Sequence, residues 1–402
     1  MRFRRMIAIC LLAVLLLLSA CNAPAEAGQT DAPDTSVPTD APTDMTEPSA
    51  DDEAASDEWP SYRMDIEPIP LSIDGADDGI LEIKDARGDR VLFALHEKLL
   101  DPQGMYAYYR TVSLGIYSTS EQTVTTLWTL ETVGWYYAGA LCAEDSAVFA
   151  CMTDYSDAHP DAYSLIALGE AQNELCSLEG EYSPMLAAMP DGSVLFSYAQ
   201  NDGAFGVRAI LDGTVSDVLK WQSDGDSVQP LGGELSVCGE SFAYPCVQDG
   251  QAVLITADLQ GETAREPLEY GKEKLDSFSL TQQGLVASLS LNEGSDDAER
   301  ALTFFRKTGE PLRLARQATD GALYRMAFDN IFGFAVDSLF DLYVLYASGD
   351  RIDCHKLTDD ELGALAPLNG TTADIFVADD VSFCLYYPEA GQLFRVTLAP
   401  AA

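Results

Sequence analysis

A strand–turn–strand pattern recurs along the second half of the chain and constrains its fold more than any other feature. Four stretches share it: SPMLAAMPDGSVLFSYAQNDG (183–203), GGELSVCGESFAYPCVQDG (232–250), LDSFSLTQQGLVASLSLNEG (275–294) and IFGFAVDSLFDLYVLYASG (331–349). We interpret each as the first two strands of a repeating unit. The second strand then ends in a glycine turn, at Gly203, Gly250, Gly294, Gly349 and finally Gly391, in steps of 47, 44, 55 and 42 residues. Glycine suits such hairpin turns because they require positive φ.

A second glycine series supports the same unit. Gly213, Gly261 and Gly309 follow the proposed third strands at steps of 48 and 48 residues. The fourth strands then read VSDVLKW, AREPLEY and EPLRLA. Four strands in about 40–50 residues is the period of β-propeller blades. The sequence therefore predicts an all-β fold, a single β-propeller.

The number of blades follows from the innermost strands. We assign these strands to ILEI (80–83), ALC (140–142), MLAAM (185–189), ELSVC (234–238), SFSL (277–280), FGFAV (332–336) and DIFVA (374–378). This predicts seven four-stranded blades, with six or eight left open because blades 1 and 6 are irregular. The last blade shows three strands, so we expect a strand within Arg63–Ile73 to pair with the C-terminal strand and close the ring. Two separate β-sandwiches are disfavoured because no composition break divides residues 59–402.

One hairpin carries a family resemblance. Its sequence is Met189-Pro190-Asp191-Gly192-Ser193-Val194-Leu195-Phe196. It resembles the Pro-Asp-Gly hairpin of TolB-like and related WD40-like bacterial propellers. The resemblance covers one blade and bears on the fold, with no implication for activity.

The N-terminus predicts export. Arg2, Arg4 and Arg5 precede an apolar run, Met6–Leu18, which has the length of a signal-peptide core and is too short to span a membrane. The run ends in Leu18-Ser19-Ala20-Cys21, which resembles the lipobox of bacterial lipoproteins. The resemblance implies cleavage before Cys21, lipidation of its thiol and an extracytoplasmic location, with the lipid as the membrane contact. The alternative is an ordinary secretory signal in which Cys21 is incidental.

The segment after Cys21 predicts a tether. Residues 22–58 are rich in Ala, Pro, Thr, Ser and acidic residues and contain eleven carboxylates with no Lys or Arg. Such a segment cannot bury enough apolar surface to offset its ordering entropy, so we expect it to be disordered. The predicted organisation is a signal peptide at 1–20, a lipidated tether at 21–58 and a propeller at 59–402.

Charge excludes some partners. The chain has 23 Lys and Arg against 65 Asp and Glu, a formal net charge of −42. The signal peptide contains three of the arginines, and the tether contains eleven of the acids. Residues 59–402 alone therefore still carry a net charge of −34. Nucleic acid would be repelled, so we expect neutral, cationic or divalent-bridged partners.

Cysteine and histidine provide no catalytic motif. Seven cysteines follow Cys21, an odd number that cannot pair completely within one chain. Cys142 with Cys151 and Cys238 with Cys246 could be bridged if strand register allowed, but small buried thiols are the favoured interpretation. The absence of a CxxC pair disfavours zinc, and the absence of GxSxG disfavours a serine hydrolase.

Acidic loops leave two hypotheses open. A glycosidase would need two carboxylates facing each other in the central pocket, which sequence spacing across blades cannot reveal. We expect no cofactor, with Ca²⁺ as a minor possibility. The acidic loop that contains Asp154, Asp157 and Asp161 offers oxygen ligands but lacks EF-hand spacing, which favours a solubilising role.

Aromatic residues give the candidate ligand-binding positions. Trp135, Tyr136 and Tyr137 precede the inner strand of blade 2, and Tyr106 and Tyr108 follow a long loop of blade 1. At the mouth of the channel these rings could stack on a sugar or hold a peptide. The favoured alternative is that they pack blade 1 against blade 2.

The sequence thus favours a monomeric, lipid-anchored propeller that binds a protein or glycan at the cell surface. The alternative function is a carbohydrate-active enzyme that uses a carboxylate pair in the central pocket. A solute-binding lipoprotein is disfavoured because alternating βα units are absent.

Overall fold

A computed structural model describes residues 62–76, 79–100, 107–130, 135–142, 145–152, 162–179, 183–223, 228–230, 235–248, 251–267, 274–291, 299–306, 312–313, 323–328, 332–337, 339–348, 351–379 and 382–400. All of them belong to the unit Glu58–Ala402. The predicted signal peptide, Cys21 and the tether lie outside the described residues and stay predictions.

The described strands form seven antiparallel sheets, which are the seven blades of a β-propeller. Blade 1 contains β2 (Ile80–Arg87), β3 (Arg90–Leu100), β4 (Ala107–Ser118) and β5 (Thr123–Thr129). Blade 2 contains β6 (Trp135–Leu141), β7 (Ala147–Met152), β8 (Ala162–Leu168) and β9 (Gln172–Glu179). Blade 3 contains β10 (Leu186–Ala188), β11 (Val194–Ala199), β12 (Ala204–Leu211) and β13 (Thr214–Gln222).

Blades 4 to 6 continue the same order. Blade 4 contains β14 (Val228–Pro230), β15 (Ser236–Cys238), β16 (Ser241–Gln248), β17 (Gln251–Asp258) and β18 (Gly261–Pro267). Blade 5 contains β19 (Lys274–Leu280), β20 (Gly284–Leu291), β21 (Glu299–Arg306) and β22 (Leu312–Arg313). Blade 6 contains β23 (Leu323–Phe328), β24 (Phe332–Asp337), β25 (Leu342–Ser348) and β26 (Arg351–Lys356), followed by α1 (Asp359–Leu362) and a 3-10 helix (Gly363–Leu368).

The two ends of the described chain close the ring, as predicted. Blade 7 contains β27 (Asp374–Asp379), β28 (Ser382–Tyr387) and β29 (Gln392–Pro400), and its outer strand is β1 (Tyr62–Ile69). The β1–β29 ladder runs in register from the pair Tyr62–Pro400 to the pair Ile69–Leu393. The closing strand begins one residue before the predicted range and ends within it.

The core is divided among the interfaces between blades. Among the described residues each pair of neighbouring blades shares one cluster of buried apolar side chains. Phe334 of blade 6, for example, contacts Phe383 of blade 7 with ring centroids 5.1 Å apart. Strands β7, β11, β24 and β28 are almost entirely buried, because sheets cover both of their faces.

Polar contacts also connect the blades. The Asp85 carboxylate of blade 1 accepts the backbone N–H of Leu141 in blade 2 at 2.8 Å. Burial raises the pKa of Asp85. The Tyr386 hydroxyl of blade 7 donates to the Leu81 carbonyl of blade 1 at 2.6 Å. These bonds connect blade 1 to both of its neighbours.

One assignment of an inner strand is wrong, and another is incomplete. FGFAV is the second strand of blade 6, and the inner strand is β23, Leu323–Phe328. Gly349 therefore follows the third strand, which explains the irregular 55-residue step before it. The inner position of blade 4 is shared by two short strands, β14 and β15, which both pair with β16.

The Pro-Asp-Gly hairpin has the predicted form. Asp191 Oδ1 accepts the Ser193 N–H at 3.0 Å, and Gly192 adopts φ 88°, which a residue with a Cβ rarely occupies. The Met189 N–H donates to the Ser193 carbonyl at 2.8 Å and completes the turn between β10 and β11.

The seven cysteines after Cys21 all lie among the described residues, and the structure joins none of them in a disulfide. Cys151 faces Tyr136 across the β6–β7 ladder, and Cys246 faces Val253 across β16–β17. Neither of the two considered cysteine pairs is in register. Burial raises the pKa of Cys142, Cys151, Cys246 and Cys384 to about 11.

Candidate functional site

The inner strands surround a central channel with a volume of about 790 Å³. Its described lining comes from all seven blades, and one residue of each is Lys84, Tyr137, Leu186, Leu235, Phe278, Met326 and Asp374. Ligand pockets commonly have volumes of about 300–1,000 Å³, so the channel is large enough for a small ligand or a side chain of a partner.

Blade 1 places a polar network in the channel wall. The Lys84 ammonium forms an ion pair with the Glu82 carboxylate and donates to the Tyr137 carbonyl of blade 2 at 3.1 Å. His96 Nε2 lies 3.1 Å from Glu82 Oε2, and its Nδ1 lies 3.0 Å from the Thr111 hydroxyl. The ring of His96 therefore lies between the Glu82 carboxylate and the Thr111 hydroxyl, with one nitrogen facing each. The network orients Glu82 from two sides.

Burial and pairing set the protonation of this network. Burial alone would raise the pKa of Glu82, but the hydrogen bond from His96 and the charge of Lys84 outweigh it and lower the pKa to about 2. Glu82 is thus ionised at neutral pH. Burial lowers the pKa of Lys84, whose side chain is 8% exposed, and the Glu82 charge opposes that shift.

The network follows from strand periodicity. Along β2, Leu81 and Ile83 pack into the core between blades 7 and 1, whereas Glu82 and Lys84 lie on the alternate positions. Glu82, Ile83 and Lys84 all line the channel. Asp374, at the start of β27, lines the channel from blade 7, the neighbour of blade 1. Sequence reasoning missed Glu82, Lys84 and Asp374. Charges at alternate positions of an assigned inner strand, as in Ile80–Lys84, could have indicated them.

The predicted aromatic positions separate into different environments. Tyr136 is 4% exposed and packs between blades 1 and 2, with its ring 5.8 Å from Trp128 and 6.1 Å from Phe149. Tyr137 lines the channel and its ring lies 5.7 Å from Tyr163. Trp135, Tyr136 and Tyr137 belong to the inner strand β6 itself, whereas the sequence pattern placed them before it. Tyr108 lies in β4, the side chains of Trp135 and Tyr108 are not described, and Tyr106 lies outside the described residues.

The remaining site hypotheses gain no support from the described part of the chain. Asp154, Asp157 and Asp161 lie outside the described residues, so a calcium site in their loop stays a prediction. Within the described ranges no group of three or more His, Cys, Asp or Glu side chains is arranged to hold a metal ion. Over the same ranges no helix has the length and hydrophobicity needed to cross a bilayer.

Comparison with known proteins identifies a fold without a family. No protein-family model and no curated protein matches this sequence. Similar solved structures include a catalytically inactive virginiamycin B lyase from Staphylococcus aureus with quinupristin, with a TM-score of 0.51, 10% identity and coverage of 84% of this chain and 100% of that one. The polysaccharide lyase Uly1 gives a TM-score of 0.53 at 10% identity, covering 83% of this chain and 98% of that one.

A third similar structure is the complex of KlAtg21 with the coiled-coil of AgAtg16. Its TM-score is 0.53 at 9% identity, covering 80% of this chain and 95% of that one. The three neighbours thus include two lyases and one protein in a complex with a coiled coil. At these identities the similarity shows the fold alone. The chain is a β-propeller with seven blades, and its activity has to be inferred from its own side chains.

Proposed function

We propose that this chain is a lipid-anchored, extracytoplasmic propeller that binds a ligand in its central channel. The observation that carries the proposal is the channel of about 790 Å³, whose lining includes the charged residues Glu82, Lys84 and Asp374. Placing ionisable groups against such a cavity costs solvation energy, which a purely structural wall of apolar residues would avoid. The lipobox at Leu18–Cys21 supports the location at the cell surface.

The lining indicates how a ligand would be held. Tyr137 and Phe376 offer aromatic surface, and the Thr372 position adds a small polar group. Such a combination suits a neutral or cationic small molecule, a glycan end or a peptide side chain. A propeller that captures a protein partner would use the same channel for one projecting side chain.

The test uses residues 59–402, a fragment that contains all seven blades and the closing strand β1. The fragment is applied to glycan arrays and to cell-wall and surface-protein fractions. A Met185→Trp variant partly fills the channel, since Met185 lines it and is 40% exposed. Leu211→Trp, at a 48% exposed position on the outer part of the same blade, is the matched control.

We expect specific retention that Met185→Trp abolishes and Leu211→Trp preserves. Retention that Met185→Trp leaves unchanged would place the ligand outside the channel. Failure of every fraction to bind would contradict the proposal.

A carbohydrate-active enzyme is the second candidate, because two carboxylates, Glu82 and Asp374, line the channel from neighbouring blades. With a pKa of about 2, Glu82 stays ionised and would stabilise a cationic transition state or act as a nucleophile. Turnover of a polysaccharide, measured as new reducing ends and lost in Glu82→Gln and Asp374→Asn, would favour this candidate. Binding without turnover favours the first.

A further inference from the structure

The Glu82 carboxylate uses only one of its two oxygens in the polar network of blade 1. Its contacts with the Lys84 ammonium and with His96 Nε2 are both made at Oε2. Within the described part of the chain, no donor forms a hydrogen bond with Oε1. The side chain is 37% exposed and lines the channel. Oε1 therefore keeps its capacity to accept a hydrogen bond from a ligand.

The charge of this carboxylate is already balanced within the channel wall. Lys84 forms an ion pair with Glu82 and is 8% exposed, so little of its ammonium can reach a ligand. A cation at Oε1 would share one carboxylate with that ammonium and be repelled by it, whereas an anion would be repelled by the carboxylate itself. Asp374, the other carboxylate of the described lining, already has an interaction partner. A neutral O–H group meets neither repulsion and still donates to an ionised acceptor.

Apolar side chains of four blades also line the channel and keep part of their surface exposed. They lie on or next to the inner strands of blades 3, 4, 6 and 7, and are Met185, Leu186, Leu235, Met326, Ile375 and Phe376. A ligand with a hydrocarbon or aryl body would remove this surface from water, and the two methionines can adapt to its shape. A fully hydroxylated sugar would instead lose hydrogen bonds to water against these side chains.

We propose that the channel binds a neutral alcohol or phenol with an apolar body, and that its hydroxyl group donates a hydrogen bond to Glu82 Oε1. This inference rests on the proposed function and specifies the ligand class of the same site. Lys84 and His96 hold the opposite oxygen of the carboxylate. Burial of the apolar body provides most of the affinity, and the charge-assisted hydrogen bond provides the selectivity.

The test compares four probes that share one propylphenyl body, in NMR titrations of the fragment 59–402 at pH 7. 4-Propylphenol donates a hydrogen bond, whereas 4-propylanisole has the same oxygen without its hydrogen. 4-Propylbenzoate carries a negative charge and 4-propylbenzylammonium a positive one. The four affinities therefore separate the hydrogen bond from the charge and from the apolar body.

Two variants connect the selectivity to Glu82. Glu82→Gln keeps the size of the side chain and removes its charge, which weakens the acceptor. Glu170→Gln is the matched control, since Glu170 is exposed in the segment between β8 and β9. Circular dichroism and the melting temperature establish that Glu82→Gln is folded.

We expect the parent fragment to bind 4-propylphenol about tenfold more tightly than 4-propylanisole, the contribution of one hydrogen bond to a charged acceptor. Both charged probes should bind more weakly than the phenol. Glu82→Gln should reduce the preference for the phenol over the anisole about threefold or more and leave the affinity for the anisole nearly unchanged. Glu170→Gln should change neither affinity.

Equal affinities of the parent fragment for the phenol and the anisole would overturn the inference, as would tighter binding of either charged probe. These comparisons need no variant, so they decide the question even if Glu82→Gln does not fold. An unchanged preference in folded Glu82→Gln would also contradict the role of Oε1.

Failure of this inference is distinguishable from failure of the proposed function. If another probe binds best and Met185→Trp weakens its binding, the channel is a ligand site of another specificity, so the proposed function stands without this inference. If no probe binds, the inference fails, and the retention experiment with Met185→Trp decides the proposed function separately.

Discussion

At the scale of single residues, Glu82 and Lys84 form the best-defined ion pair of the channel wall. Removing Glu82 leaves the Lys84 ammonium, which is 8% exposed, without its counter-charge, whereas removing Lys84 leaves Glu82 37% exposed and still in contact with His96. We therefore expect Glu82→Gln to lower the free energy of unfolding by about 1–3 kcal/mol and Lys84→Met to lower it by less. The double variant should lose less than the sum of the two. Urea denaturation of all four proteins measures the coupling, and strict additivity would show that the pair contributes nothing.

The same pair predicts a pH dependence. The pKa of Glu82 is about 2 in the folded chain against 4.5 ordinarily, so its contribution to stability is complete above pH 4.5. That contribution is lost as pH falls from 4.5 towards 2. Urea midpoints measured across this range should fall less steeply in Glu82→Gln than in the parent protein. Parallel curves would contradict the assigned pKa.

Tyr136 is a packing residue by position. It is 4% exposed between blades 1 and 2, where its ring makes edge contacts with Trp128 and Phe149. Tyr136→Ala should therefore lower the free energy of unfolding by about 3–5 kcal/mol, the usual cost of deleting a buried aromatic ring. Leu211→Ala, at an exposed position, should cost little. Unchanged stability combined with lost ligand binding would instead make Tyr136 a binding residue.

At the scale of elements, strand β1 is the component that closes the ring. Eight residues, Tyr62–Ile69, pair with β29, and Met64 and Ile66 pack against the core between blades 6 and 7. A fragment that begins at residue 71 would leave β29 as an unpaired edge. We expect it to unfold at a lower temperature and to aggregate, whereas a fragment that begins at residue 59 should melt like the chain that begins at residue 21. Equal melting of the two fragments would contradict a closing role for β1.

The inner strand of blade 6 shows where sequence patterns stop being sufficient. Both β24 and β25 are apolar and mostly buried, so the run FGFAV could be the first or the second strand of its blade. The true first strand, LYRMAF, contains Arg325 and is a weaker apolar run. In blade 1, by contrast, the alternation in ILEIKDAR was enough to place β2. A sequence pattern shows that a strand is buried but not whether it is the first or the second strand of its blade. The strand order depends on pairing between distant residues.

At the scale of the whole molecule, the N-terminus predicts how the propeller is held at the membrane. Cys21→Ser removes the thiol to which a diacylglyceryl group would be attached. We expect the parent protein to partition into the detergent phase of Triton X-114 and the variant to stay in the aqueous phase. A two-chain lipid binds membranes stably and a lipid-free acidic protein does not. Mass spectrometry of the mature N-terminus serves as the control, and an unmodified Cys21 in the parent would refute lipidation.

The sequence by itself predicted the fold class, the blade period, seven blades with six or eight left open, and the closing of the last blade by an N-terminal strand. These features depend on local periodicity and on turn residues such as Asp191 and Gly192, which act over a few positions. Only the tertiary structure decided what lines the channel. It brought Glu82, Lys84 and Asp374 to neighbouring blades although Asp374 is nearly 300 residues further along the chain. It also separated Tyr136, which packs between blades, from Tyr137, which lines the channel. The physical reason is that ring closure makes blade 7 the neighbour of blade 1, a proximity that local periodicity does not encode.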